Sequence, residues 1–113
     1  ALTSAGSQIV WERYGAVSAA KSALESHSRQ LAVELGPRGI SVNAILAGVT
    51  DTPALRKIPG WERVLSRARE RNPRGRLTEP DDVASAIVAL SSPGAAWITG
   101  NTIRVDGGET IVG

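Results

Sequence analysis

From Arg13 to Leu35 apolar residues recur at helical spacing, with Val17, Ala20, Leu24, Leu31 and Leu35 forming much of one stripe. The pattern predicts a long helix. Gly36-Pro37 should stop it, because glycine suits the left-handed position past a helix end and proline cannot continue the helix. Ahead of it, Ala1 to Gln8 is small and polar and reads as a loop. Ile40-Ser-Val-Asn-Ala-Ile-Leu46 is a β-branched, largely apolar run bounded by glycines, which fits a strand buried on both faces. Ala47 to Pro59 reads as loop and Trp61 to Arg71 as a charged helix broken by Asn72-Pro-Arg-Gly75. Thr78-Glu-Pro-Asp81 predicts a new helix start, with a capping hydroxyl, an early proline and acids in the first turn. That helix runs to Leu90 on Val83, Ala86, Ile87 and Leu90. After a turn over Ser91 to Gly100, Thr102 to Asp106 reads as a second strand, closed by Gly107-Gly108.

Helices alternating with strands predict an α/β fold with a parallel sheet. Only two strands are legible, and two parallel strands sharing three to four helices make a thin core. The chain is therefore expected to be the C-terminal half of a larger doubly wound domain, with residues 1–113 one part of that single domain.

Composition narrows the chemistry. The hydrophobic fraction is 42%, but Phe, Met and Cys are absent, so the core must be aliphatic. Without cysteine there is no disulfide, thiolate nucleophile or cysteine-ligated metal. His27, the lone histidine, argues against a histidine zinc site or a Ser-His-Asp triad, and no metal site is expected. Arginines crowd the stretch from Arg56 to Arg76, yet Glu62, Glu70 and Glu79 are interspersed and no aromatics interleave for base stacking. A solvated or interface face is the expectation, with no nucleic-acid partner. No apolar run approaches the ~20 residues of a membrane span and no charged-then-apolar leader is seen, so a cytoplasmic protein without a membrane partner is expected.

Tyr14 and Lys21 are seven residues apart in Tyr-Gly-Ala-Val-Ser-Ala-Ala-Lys. Seven residues make about two helical turns, which would put both side chains on one face. A phenol beside an ammonium is suited to proton donation, since the cation stabilises the phenolate left behind. On its own, such spacing is usually an accident of a helix surface. Ser18 reads as a small packing residue, Ser4 and Ser7 as loop hydroxyls, and Trp11, Trp61 and Trp97 as packing residues.

Three segments, in order and correctly spaced, resemble the short-chain dehydrogenase/reductases. They are Tyr14/Lys21 with Leu31-Ala-Val-Glu-Leu35 and Gly39-Ile-Ser-Val-Asn43; Asn43-Ala-Ile-Leu-Ala-Gly-Val-Thr-Asp-Thr52; and Pro73-Arg-Gly-Arg-Leu-Thr-Glu-Pro-Asp-Asp82 leading to Ile98-Thr-Gly-Asn-Thr-Ile-Arg-Val-Asp-Gly-Gly108. Common members place the tyrosine four residues before the lysine, where this chain has Val17, and carry Pro-Gly where it has Ala47-Gly48. Both departures resemble the divergent branch of enoyl-acyl-carrier-protein reductases, and the second segment is most similar to its NADPH-dependent members.

The resemblance implies a Rossmann-like fold and reduction of an enoyl thioester, on acyl carrier protein, in fatty-acid synthesis. Tyr14 would stabilise or protonate the enolate and Lys21 would hold the nicotinamide ribose. Asn43, Gly48, Val49, Thr50 and Thr52 would complete the cofactor site, with Val49 or Thr50 meeting the carboxamide. Ser4, which stands where the branch often has a second tyrosine, joins Ala47, Leu55 and Trp61 in the substrate site, and residues 53–72 would form a mobile substrate segment. NADPH is the expected cofactor, with NADH open. No glycine-rich phosphate loop is present, so the N-terminal dinucleotide-binding half is expected to be absent and this fragment is not expected to bind the cofactor alone. Family assembly implies a homotetramer or homodimer. Another carbonyl or tailoring reductase of the same family, and an inactive relic kept by oligomer contacts, remain alternatives.

Overall fold

The computed structural model describes residues Ala1 to Gly113. Three parallel strands, β1 (Leu2–Ser4), β2 (Ala44–Ala47) and β3 (Thr102–Val105), form one sheet in the order β1-β2-β3. Three helices accompany it: α1 (Gly15–Leu35), α2 (Trp61–Arg71) and α3 (Pro80–Leu90). α1 packs over β1 and β2, and α3 lies against β3. This is the α/β architecture that the alternation of periods predicts.

β1 occupies part of the segment read as loop. Three residues are too few to show a period of two, and only Thr3 among them is β-branched. Pairing makes the strand instead, through the register Leu2↔Ile45, Thr3↔Leu46, Ser4↔Ala47. β2 meets the expectation of double-sided burial: Thr3 and Leu46 share the face that carries α1, Ile45 faces the other way, and both Ile45 and Leu46 are buried. The ladder begins at Ala44 rather than Ile40. Before that point Val42 and Asn43 bond the 98–101 loop, with the Asn43 amide donating to Ile98 O at 2.7 Å and its oxygen accepting the Asn101 amide at 3.1 Å.

Helix α1 buries Glu25, Ser28 and Ala32, whereas Val17 and Leu31 of the apolar stripe stay more than two-fifths exposed. Small side chains on the inner face let the helix settle close to the sheet, and Ala32 Cβ comes within 3.6 Å of where a Cβ on Gly100 would stand. The helix does not end at a left-handed Gly36. Gly36 remains right-handed at φ −52°, Pro37 joins one further 3₁₀ turn (Gly36–Arg38), and the left-handed residue is Gly39 at φ 72°. α2 spans the residues read for it. α3 does too, but its cap is Glu79, which exchanges capping-box bonds with Asp82 while Pro80 takes the first position. Thr78, expected to cap, is buried elsewhere.

The buried apolar set is small: Ala32, Ala44, Ile45, Leu46, Ala68 and Ala95. Large apolar side chains such as Val33, Val88 and Trp97 project outward.

Gly48 ends β2 with no spare room. A Cβ there would lie 2.2 Å from Thr78 Oγ1 and 3.0 Å from the Asp106 Cα. Gly48→Ala should therefore destabilise the protein by about 1–3 kcal/mol through overpacking. Thermal or urea unfolding checks this, and an unchanged midpoint would mean that the turn has slack.

Candidate active site

In a parallel sheet all strands finish at one edge. Ser4, Ala47 and Val105 form a single register row, and the segments leaving them make the candidate site. A crevice beyond the carboxyl ends of parallel strands is where open α/β sheets take ligands.

Tyr14 is not inside α1. It is the N-cap, at φ −101° and ψ 5°, with its carbonyl accepting the Ser18 amide at 2.8 Å. Its ring lies against Gly6, where an added Cβ would come 2.2 Å from Tyr14 Cε1, and tilts against Trp11 with centroids 5.6 Å apart. The phenol oxygen stands 3.3 Å from Ser4 Oγ. Lys21, in the second turn of α1, donates from Nζ to Leu2 O at 2.9 Å. The phenol and the ammonium thus both anchor on β1, two residues apart.

Glu25, one helical turn beyond Lys21, holds this corner together. Its Oε1 accepts the Thr3 hydroxyl at 2.6 Å and also the Ser7 hydroxyl. Ser7 Oγ also lies 2.9 Å from Ser4 O, the competing acceptor for its single proton. A carboxylate on the buried face of a helix was the available sequence signal, and an apolar stripe search passes over it.

A second group follows β2. The Gly48 amide donates to Val105 O at 3.1 Å and the Val49 amide to Glu109 Oε2 at 3.0 Å. Thr50 Oγ1 bonds Gly48 O at 3.1 Å, while the Thr50 amide has no partner within the chain. Thr52 Oγ1 accepts the Leu55 amide at 3.2 Å and so caps the 3₁₀ turn Leu55–Lys57. Asp51 and Arg56 pair through two 2.7 Å bonds, and the Arg56 guanidinium covers the Trp61 ring at 5.2 Å. Ser4, paired with Ala47 across the sheet, joins the two groups.

Buried polar residues fasten this edge from below. Asn72 donates to Asp106 O at 3.0 Å and accepts the Arg74 amide at 2.9 Å. The Asp106 carboxylate accepts the amides of Gly108 and Thr110 and the Thr110 hydroxyl. Burial would raise the Asp106 carboxyl, but those hydroxyl and amide donors prevail and leave it below its usual value of 3.8. For Glu109 burial prevails, with the Val49 amide and Arg71 opposing it, and the carboxyl is raised above 4.5.

The whole chain falls within known protein space. Residues 1–110 match the family model described as enoyl-(acyl carrier protein) reductase. The chain belongs to that family. It is an enoyl-reductase-type member of the short-chain dehydrogenase/reductases, as the three motif segments imply. An enoyl-[acyl-carrier-protein] reductase [NADH] of Bacillus cereus is 37% identical over 112 residues, covering 99% of this chain and 44% of that protein. The 3-oxoacyl-[acyl-carrier-protein] reductase of Pseudomonas aeruginosa is 41% identical over 91 residues, 80% of this chain and 36% of that one. The solved B. cereus enoyl-acyl carrier protein reductase with NADP+ and indole naphthyridinone superposes with a TM-score of 0.94, at 37% identity, on 99% of this chain and 44% of its own. The chain thus spans less than half the length of these relatives, and its fold is a partial Rossmann-like one.

Within this enoyl-reductase-type chain the expected site residues separate by place. Ser4, Tyr14 and Lys21 form one corner, and Ala47, Gly48, Val49, Thr50 and Thr52 the adjoining turn. Asn43 lies at the opposite end of β2, four residues and about 13 Å of strand from Ala47, where its amide clamps the 98–101 loop. That distance removes it from the cofactor turn. Leu55 and Trp61 sit in the segment after the turn, Trp61 engaged by Arg56. Motif reading gives Glu25, Asn72, Thr78, Asp106 and Glu109 no part in the site, although Thr78 and Asp106 lie within the third motif segment.

Two outcomes follow from this geometry. Arg13, next to Tyr14, has φ 61°, a left-handed torsion unfavourable for a side chain. Arg13→Gly should raise stability by about 1 kcal/mol after allowing for glycine's added freedom in the unfolded chain, as measured by denaturant midpoint. The two carboxyls give opposite pH signatures. Asp106, lowered in the fold, contributes stability above pH 3.8 that is lost as pH falls through its folded value. Glu109, raised in the fold, contributes stability below pH 4.5 that is lost as pH rises towards its folded value. In unfolding curves across pH 2–8, Asp106→Asn should flatten the acid limb and Glu109→Gln the limb above pH 4.5.

Proposed function

We propose that this chain is the catalytic part of an NAD(P)H-dependent enoyl-thioester reductase. The observation that carries the reading is the corner in which the Tyr14 phenol and the Lys21 ammonium both anchor on β1 beside the turn after β2. The residues present suit a nicotinamide: a turn pinned by the close packing of Gly48, a Thr50 amide without an intrachain partner, and a lysine held on β1 through Leu2 O. Lys21 would hold the ribose and the Thr50 amide the carboxamide, with Gly48 and Thr52 shaping the turn. Val49 is a weaker donor candidate, since its amide is taken by Glu109. When bound, the reduced nicotinamide supplies the hydride.

As hydride reaches the β-carbon of an enoyl thioester, negative charge collects on the carbonyl oxygen. Tyr14 meets that oxygen with its O–H, and Ser4, 3.3 Å away, keeps the phenol in place. Lys21 adds a fixed positive charge that favours the same enolate. Residues 53–72, with Leu55 and Trp61, would close over the acyl chain. Acyl carrier protein is the fitting carrier, fatty-acid synthesis the fitting setting, and NADPH the proposed donor, with NADH retained because the B. cereus relative is named for it. A homo-oligomer would cover outward apolar residues such as Val88 and Trp97.

A second reading, carbonyl reduction, has its own support. A serine hydroxyl rather than a second phenol stands beside Tyr14, and the 3-oxoacyl reductase of P. aeruginosa is 41% identical.

The test is coenzyme oxidation with crotonyl and 3-oxoacyl thioesters, using the polypeptide that joins this chain to a dinucleotide-binding half. Tyr14→Phe should lower kcat on the enoyl substrate about 10²–10⁴-fold with little change in coenzyme KM. The 113-residue chain alone should show no saturable NADPH binding. Turnover of only the 3-oxoacyl thioester would select the second reading, and full enoyl turnover by Tyr14→Phe would overturn the first.

A further inference from the structure

Glu109 is a buried carboxylate that the proposed reduction leaves without a part. It opens the 3₁₀ turn Glu109–Ile111 and directs its side chain at the turn that leaves β2. Oε2 accepts the Val49 amide at 3.0 Å and stands 3.0 Å from where a Cβ on Gly48 would be, so it presses against the Gly48 backbone. The residue is 8% exposed. Two charged neighbours face it. Asp106 is saturated by its own donors, and Arg71, the last residue of α2, gives Nη2 to Val112 O while its buried Nε has no partner. α2 itself packs on the Glu109–Ile111 turn.

An apolar side chain would fill this place at lower desolvation cost, because a buried carboxylate with one amide donor is poorly compensated. What the carboxylate adds is directional hold on a single backbone group. With the Val49 amide withdrawn, the amides of Thr50, Asp51 and Thr52 are left without intrachain partners, and that of Thr50 is the first of them.

We propose that Glu109 is the positioning residue of the turn after β2, a brace that sequesters the Val49 amide and leaves the Thr50 amide to meet the nicotinamide. The nicotinamide part of this assignment rests on the reading under Proposed function; the brace itself does not.

The experiment pairs Glu109→Gln, which keeps an oxygen for the Val49 amide, with Glu109→Ala, which removes it. Hydrogen exchange of the Val49 amide in the joined polypeptide reads the brace without any catalysis. Exchange should quicken about tenfold in Glu109→Ala and stay within about threefold of the parent in Glu109→Gln. Coenzyme KM should rise about tenfold in Glu109→Ala with kcat held within about twofold, and Glu109→Gln should restore it. Unchanged Val49 exchange in Glu109→Ala overturns the brace. Faster exchange with unchanged coenzyme KM overturns its role in the site. Failure of the parent polypeptide to oxidise coenzyme would instead sink the reductase reading, while the exchange result still judges the brace.

Discussion

The candidate site depends on one place where the chain has no room for a side chain. At Gly48 the backbone of β2 passes so close to Thr78 and to the Asp106 backbone that only a hydrogen fits at Cα. That approach lets the Gly48 amide reach Val105 O and brings Glu109 within reach of Val49. The end of β2, the end of β3 and the residues ahead of α3 are thereby fixed as one unit. Everything that follows β2, through Thr50 and Thr52 to the arginine-rich helix α2, starts from that unit.

The opposite corner is built on different physics. Around Tyr14 the contacts are an aromatic ring laid on Gly6, hydroxyls converging on Glu25, and a lysine reaching a strand carbonyl. Glu25 makes two bonds to hydroxyls at and just after β1, so the strand that carries Ser4 is held to the helix that carries Lys21 by a side chain that touches neither. Burying a carboxylate is costly unless it finds donors, and here Thr3 and Ser7 both serve Oε1.

Much of this could be read from residues alone, and what could not has identifiable causes. The helices 61–71 and 80–90 were legible because turn residues bracket them, and β2 because a largely apolar, β-branched run stands between glycines. β1 was not, since a three-residue strand has no measurable period and owes its form to pairing with β2. The apolar stripe of α1 named the wrong inner face: Glu25, Ser28 and Ala32 are buried, and close helix–sheet packing selects small or hydrogen-bonded groups there. Ser4 and Ala47 to Thr52 lie at the carboxyl edge of the sheet with Tyr14 beside Ser4, Lys21 reaches β1 at Leu2, and Asn43 lies at the far end of β2, as the direction of the strand requires. The buried polar fasteners Asn72, Asp106 and Glu109 carry no spacing signature. Their partners lie dozens of residues away or are backbone groups.

Tyr14 stands one residue ahead of α1, on the cap rather than in the body of the helix. The direction of its ring is consequently freed from helical phase. A tyrosine within the helix can move only by whole turns if it is to keep facing a lysine. A tyrosine on the cap is aimed by the torsions of Arg13 and by the loop that lays its ring on Gly6. The separation of phenol and ammonium in sequence is then set by the first two turns of α1, while the aim of the ring is set by the loop ahead of the cap.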